Sequence, residues 1–409
     1  MFRLIAAVLA ACATVLVCGP PASAATTSAP PTLPVRAAAL LEESSGQQLF
    51  GENANAQLPI ASTTKLMTAL VTLHHAQLRD VFTDPDYYPA AEDSQIGLVP
   101  GERMSVHDLL IAMMLPSADD AAEDLAYNVG HGSVARFIAM MNARARALGL
   151  TDTHYSTPIG LDTPGNYSSA HDLTRLARYL LRSEPFIRVV VAKKSAVLRT
   201  GNHVRVVVNL NDLVSHYSWI NGVKTGHTLG AGYVLVASGT QNGMTLIDAV
   251  LGTPSETARD DSALALLNWG FANYSLRTAV HAGQLMARVP VTGGTPDLTV
   301  RLLAKSTYTH VFPKAAPITL SVHAPAKLAA PLPANAVAGW VSVREGGQVQ
   351  ARIPLLLAGA VPKIRHSTAL KSVVVLSATL SGLVLAAGAV IGLTMFWREW
   401  SRGNARRRR

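Results

Sequence analysis

The chain has 409 residues, longer than one typical domain, so length alone suggests two or three units. Its formal charge is +9, but nine of its 35 Lys and Arg lie from Lys363 onward against one acid, Glu399. Residues 25–362 hold 25 basic and 25 acidic side chains, so the folded part gives no support to a nucleic-acid partner.

Residues 1–24 combine Arg3, an apolar run over 4–17 and the small-residue ending Ala22-Ser23-Ala24, the pattern of a secretory signal peptide cleaved after Ala24. Both cysteines, Cys12 and Cys18, fall inside it, so the mature chain is expected to carry neither thiol nor disulfide. Residues 25–34 are Thr, Pro, Ser and Ala and read as a linker. Folded sequence starts at 35–41, apolar enough for a strand, with 46–50 as its hairpin partner. Residues 53–60 lead into a helix that runs to about His75. Ser62 and Lys65, three apart at its start, fall on one face, a hydroxyl nucleophile beside an amine base.

Within 101–115, Ser105 reads as the cap of a helix that carries Leu109, Leu110, Met113 and Met114 at helical spacing. Pro116 ends it, and Ser117-Ala118-Asp119-Asp120 reads as a loop. Helical pattern resumes over 121–127 and 134–148, and residues 160–167 are rich in turn formers. Ser169-Ala170-His171-Asp172 opens a further helix to about Leu181. Residues 203–210 are β-branched and predict a strand. Gln241-Asn242-Gly243 is a hairpin turn between the runs 232–237 and 245–251, and 255–274 is a helix. Strands at both ends enclosing helices predict one sheet with a helical insertion, an α/β (α+β) domain over 35–274.

From 275 to 362, short runs broken by Gly and Pro predict a small all-β domain. Residues 373–397 are apolar and uncharged, long enough to span a hydrocarbon core of ~30 Å. Arg398, Arg402 and Arg406 to Arg409 then mark the cytoplasmic side. The expected layout is one C-terminal transmembrane helix at 373–397, a basic cytoplasmic tail at 398–409 and the folded part outside the membrane. No metal-ligand spacing is present. His74 and His75 are neighbours on a helix and point to different faces, so neither metal nor cofactor is expected.

Three short motifs occur in order: Ser62-Thr63-Thr64-Lys65, Ser117-Ala118-Asp119 and Lys224-Thr225-Gly226. Together they resemble the Ser-x-x-Lys, Ser-x-Asn and Lys-Thr-Gly set of penicillin-binding proteins and serine β-lactamases. The flanks Pro-Ile-Ala-Ser-Thr-Thr-Lys-Leu-Met-Thr, Leu-Pro-Ser-Ala-Asp-Asp-Ala-Ala and Gly-Val-Lys-Thr-Gly-His-Thr, with Gly160-Leu161-Asp162 and 168–173, are similar to the D-alanyl-D-alanine carboxypeptidases of peptidase family S11. The resemblance covers roughly 35–274.

It implies that Ser62 attacks the carbonyl between two D-alanines and forms an acyl-enzyme, with Lys65 taking the proton and Ser117 relaying it to the leaving amine. It also implies an oxyanion hole from the N–H groups of Ser62 and His227. Lys224 and Thr225 would hold the terminal carboxylate, and Gly226 would leave room for substrate along the strand. Peptidoglycan stem peptides and β-lactam antibiotics are the implied partners. Asp119 is the departure, because the family has Asn there. An ionised carboxylate only accepts hydrogen bonds, so it would pair with Lys65 and weaken it as a base.

Two other readings remain open. A class A β-lactamase shares the motifs but uses a glutamate after the second one, and no Glu occurs between Leu125 and Ser183. Asp162 with Asn166 only imitates that acid-then-Asn spacing. A non-catalytic cell-wall-binding relative is the third reading, with Asp119 as its sign of decay.

Overall fold

A computed structural model describes residues 28–87, 89–90, 93–293, 297–363 and 385–399. The elements begin with β1 (Ala37–Glu42), β2 (Gln48–Glu52), a 3-10 turn (Ala61–Thr64) and α1 (Lys65–His75). Then come β3 (Val81–Thr83), β4 (Arg103–Ser105), α2 (Val106–Met114), α3 (Asp119–Val129), α4 (Val134–Ala147), α5 (Ala170–Ser183) and α6 (Pro185–Val191). A hairpin of β5 (Ser195–Leu198) and β6 (Arg205–Val208) and the short α7 (Asp212–His216) lead to β7 (Ile220–Thr228), β8 (Gly232–Gln241), β9 (Met244–Thr253) and α8 (Glu256–Asn273). The later strands lie between Tyr274 and Leu357, and residues 385–399 are helical. The chain divides into two compact units: one takes residues up to 280 with 307–319 and 343–350, the other 281–306, 320–342 and everything from 351 on.

The first unit is built on a five-stranded sheet in the order β2-β1-β9-β8-β7, antiparallel at every step. Alternation along the strands sends successive side chains to opposite faces. Ala37, Ala39, Val234, Val236, Ile247 and Ala249 enter one core with residues from α1 to α6. Ala38, Leu40, Leu235, Ala237, Leu246 and Val250 enter the other with Ala263, Leu266 and Leu267 of α8. Gly270 lets α8 lie close to the sheet, since a Cβ there would meet Leu246 Cδ1 at 2.6 Å and Leu40 Cδ2 at 2.8 Å. The fold is therefore mixed α/β, with the helices of 65–191 inserted between β2 and β7. That insertion places one turn, one helix start and one edge strand side by side.

Several local expectations are corrected. Asp119 and Asp120 are not in a loop: they form the first turn of α3, where a carboxylate meets the positive end of the helix dipole. Ser62 sits in the 3-10 turn ahead of α1. The strand expected at 203–210 is only Arg205–Val208, and its partner Ser195–Leu198 follows two lysines that disguised it. The described part of the expected linker is mostly exposed but tied down at two points, with Leu33 buried and Ser28 N–H donating to Asn273 Oδ1 at 2.8 Å. The signal segment 1–24 and residues 373–384 of the expected span lie outside the described residues. Among the described residues, no helix is long and apolar enough to cross a membrane.

Two buried carboxyls make stability depend on pH. Asp84 and Asp124 are 4% and 1% exposed, and three of their four carboxyl oxygens have no hydrogen-bond partner among the described residues. Burial, with Asp120 and Glu102 close by, pushes Asp84 up to about 7, and burial, with Asp84 and Asp120 close by, pushes Asp124 up to about 8. Between about pH 4 and pH 8 the folded chain therefore holds protons that the unfolded chain has released, so stability falls as pH rises. Asp84→Asn and Asp124→Asn should raise the melting temperature at pH 8 by a few degrees and leave it nearly unchanged at pH 4.5. Thermal unfolding at the two pH values checks this; equal shifts at both would contradict it.

Candidate active site

Ser62 is presented by a turn that neighbouring backbone presses into shape. Ala61 has φ +47° and Gly160 has φ +99°, and a Cβ on Gly160 would fall on the Ala61 carbonyl oxygen. A Cβ on Gly226 of β7 would lie 2.9 Å from Ser62 N. Both glycines are thus required by the closeness of a loop and a strand to the Ser62 N–H.

Lys65, on the first turn of α1, is fully buried. Its Nζ donates to Ser62 Oγ at 2.9 Å, to Asp119 Oδ1 at 2.5 Å and to Ile159 O at 2.8 Å, so all three ammonium protons have acceptors. Burial holds the Lys65 amine below its ordinary range, and the charge of Asp119 is the largest force opposing that shift. Burial pushes Asp119 up, with Lys65 opposing. Proximity has turned the expected Asp119–Lys65 pair into a buried ion pair. Ser117 stands just ahead of α3 with φ +65°, and its buried Oγ has no hydrogen-bond partner among the described residues.

The edge strand β7 supplies the rest. Lys224 is 1% exposed and donates to Thr225 O at 3.0 Å. Burial and the nearby Lys65 hold its amine well below the ordinary range, with Asp119 opposing. Thr225 and Gly226 are buried, whereas His227 is exposed and stacks on Tyr233 with ring centroids 4.0 Å apart. A cleft of about 420 Å³ opens here, walled by Ser62, Asp119 and His227 with Asp93, Ser94, Gly160, Leu161, Asp162, Thr228 and Leu229. All eight residues singled out from the sequence belong to the three segments that meet at this cleft. Three of them, Ser62, Asp119 and His227, form its surface.

Sequence reasoning missed the wall formed by Asp93 and Ser94, and the Ile159 carbonyl that receives Lys65. The loop behind that wall is held by charge: Asp120 accepts from the N–H groups of Ile96, Gly97 and Leu98 at 3.0–3.3 Å. Arg205 makes a bidentate pair with Glu102 at 2.8 and 3.0 Å and also holds the carbonyls of Ile96 and Gly97. Hydrogen bonds to charged groups contribute about 1.5–3 kcal/mol each, which is how an irregular loop keeps its shape. Asp162 fastens the β7–β8 turn, accepting from Thr228 Oγ1 at 2.6 Å and Gly230 N at 2.8 Å. The site as a whole can activate a hydroxyl with a buried amine and receive an anion beside two lysines.

Residues 24–255 match the D-alanyl-D-alanine carboxypeptidase family, Peptidase_S11. The D-alanyl-D-alanine carboxypeptidase DacA of Escherichia coli is 32% identical over 340 residues, covering 79% of this chain and 83% of the relative. DacF of Bacillus subtilis, also a D-alanyl-D-alanine carboxypeptidase, is 31% identical over 264 residues, covering 63% of this chain and 68% of the relative. The crystal structure of penicillin binding protein 5 from Haemophilus influenzae superposes with a TM-score of 0.66 at 29% identity, covering 82% of this chain and 99% of that one. With Ser62, buried Lys65 and the Lys-Thr-Gly strand converging inside the matched segment, the chain belongs to the D-alanyl-D-alanine carboxypeptidases of family S11, low-molecular-mass penicillin-binding proteins that act as serine hydrolases.

Proposed function

We propose that this enzyme removes the terminal D-alanine from peptidoglycan pentapeptide stems through an acyl-enzyme on Ser62. The observation that carries the reading is the 2.9 Å bond from buried Lys65 Nζ to Ser62 Oγ. In its neutral form Lys65 takes the Ser62 proton as Oγ attacks the carbonyl, and the N–H groups of Ser62 and His227 receive the developing oxyanion. The proton passes through Ser117 to the leaving amine, D-alanine departs, and water hydrolyses the ester. Lys224 and Thr225 hold the substrate's terminal carboxylate, with Gly226 giving it room. The unpartnered Ser117 Oγ supports the relay, and a bound carboxylate would favour the charged form of the buried Lys224.

The same reading assigns residues 35–274 to catalysis and 275–362 to a small β domain. Residues 1–24 are removed on export, and 373–397 span the cytoplasmic membrane once, with the arginines of 398–409 inside. What supports the anchor is the apolar sequence of 373–397 and the arginines that follow it. Protease added to intact spheroplasts should remove the catalytic domain; full protection would refute this topology.

A fluorescent β-lactam separates the competing functions. Slow, stable labelling is expected. Rapid turnover would mean a β-lactamase, and no labelling would mean a binding protein. Against the β-lactamase reading, Asp162 has a structural task of its own, fastening the β7–β8 turn through Thr228 and Gly230.

A further inference from the structure

Between Pro185 and Asn211 the chain contains Arg188, Lys193, Lys194, Arg199 and Arg205 and no Asp or Glu. Arg205 is buried against Glu102, and the other four are exposed. The same segment turns its apolar residues outward: Val206 is 73% exposed, Val204 61%, Val208 59%, Val189 58%, Leu210 46% and Val197 41%. Val197 pairs with Val206 in register, and Val206 and Val208 alternate with buried Arg205 and Val207, so Val197, Val206 and Val208 share one face of the β5–β6 hairpin.

A second copy of the chain would cover the valines only by bringing four like charges against four more. A soluble polyanion would meet the cations and leave the valines in water. The interface of an anionic bilayer does both, since apolar side chains enter the headgroup boundary while Lys and Arg meet lipid phosphates. We propose that the outer face of the β5–β6 hairpin docks on an anionic lipid surface, with Arg188, Lys193, Lys194 and Arg199 as its charged rim. This contact is separate from the span proposed for 373–397. Because β6 also carries Arg205, which holds the carbonyls of Ile96 and Gly97, the docked strand also braces the loop that leads from Asp93 and Ser94.

The test uses the full chain with Cys12 and Cys18 replaced by Ala and Val206→Cys labelled with an environment-sensitive dye. Vesicles are phosphatidylcholine alone or with roughly one-third phosphatidylglycerol as the anionic lipid. Emission and co-sedimentation are read on the same samples. The dye should shift to the blue and be quenched by brominated lipid only with the anionic vesicles, and 1 M salt, where the Debye length is about 3 Å, should reverse it. Lys193→Glu with Lys194→Glu should reduce the shifted fraction at least about tenfold, while β-lactam acylation persists and shows the fold intact. A chain that sediments while the dye stays in water overturns the docking and leaves the anchor standing; no sedimentation overturns both. An equal shift with neutral vesicles, or a shift without lipid that accompanies dimer formation, also overturns the proposal.

Discussion

Lys65→Ala should lower the rate at which a β-lactam acylates Ser62 by about 10²–10⁴-fold, the range for loss of a positioned general base. Lys65 Nζ is the only titratable donor recorded on Ser62 Oγ among the described residues, so no second base stands ready to replace it. The substitution also leaves Asp119 buried with its charge unpaired, and breaking a buried pair in this way costs about 3–5 kcal/mol. Loss of fold and loss of chemistry are therefore separated in the Asp119→Asn background, where Lys65→Ala strands no charge. There the stability should recover and the acylation defect should remain. Denaturant unfolding and acylation kinetics on both proteins check this, and recovery of acylation together with stability would remove Lys65 from the chemistry.

Asp119→Asn alone should increase the second-order acylation rate near pH 7 by roughly tenfold. An opposite charge within hydrogen-bond distance raises a lysine pKa by about 1–3 units, and Asp119 Oδ1 stands 2.5 Å from Nζ. Burial already draws the Lys65 amine downward, so removing the carboxylate lets it fall further. The sign follows: at a pH below the lysine pKa of the parent enzyme, the Asn variant holds more free amine and reacts faster. As pH rises through that pKa, both forms become deprotonated and the advantage shrinks; the weaker basicity of the variant's amine limits the gain. Stopped-flow acylation between about pH 6 and 9.5, a range that brackets a lowered lysine pKa, measures it. A slower Asn variant at every pH would show that the site is adapted to a carboxylate.

The meeting of Ser62 and Lys65 was legible because it is local: three residues along a helical turn leave little freedom for where the two side chains lie. The sheet was legible from the apolar runs of β1, β8 and β9 and from the Asn242-Gly243 turn. Asp119 was legible as a chemical departure but not as a helix start, since the residues ahead of it, Pro116 to Ala118, carry no strong cap. The walls of the cleft were not legible. Asp93 and Ser94 belong to an irregular stretch whose shape depends on Asp120 and Arg205, and Arg205 meets Glu102 across 103 positions of sequence. The β5–β6 hairpin was half hidden because its first strand begins beside Lys193 and Lys194 and buries only Leu198.

The most direct test of the Ser62 acyl-enzyme is intact-mass spectrometry after exposure to a β-lactam, with the modified peptide sequenced. The expected result is one stoichiometric adduct on Ser62, absent from Ser62→Ala, in a protein that releases D-alanine from a peptide ending in D-Ala-D-Ala only when Ser62 is present. An adduct formed as readily on Ser62→Ala, or D-alanine release that survives the substitution, would contradict it.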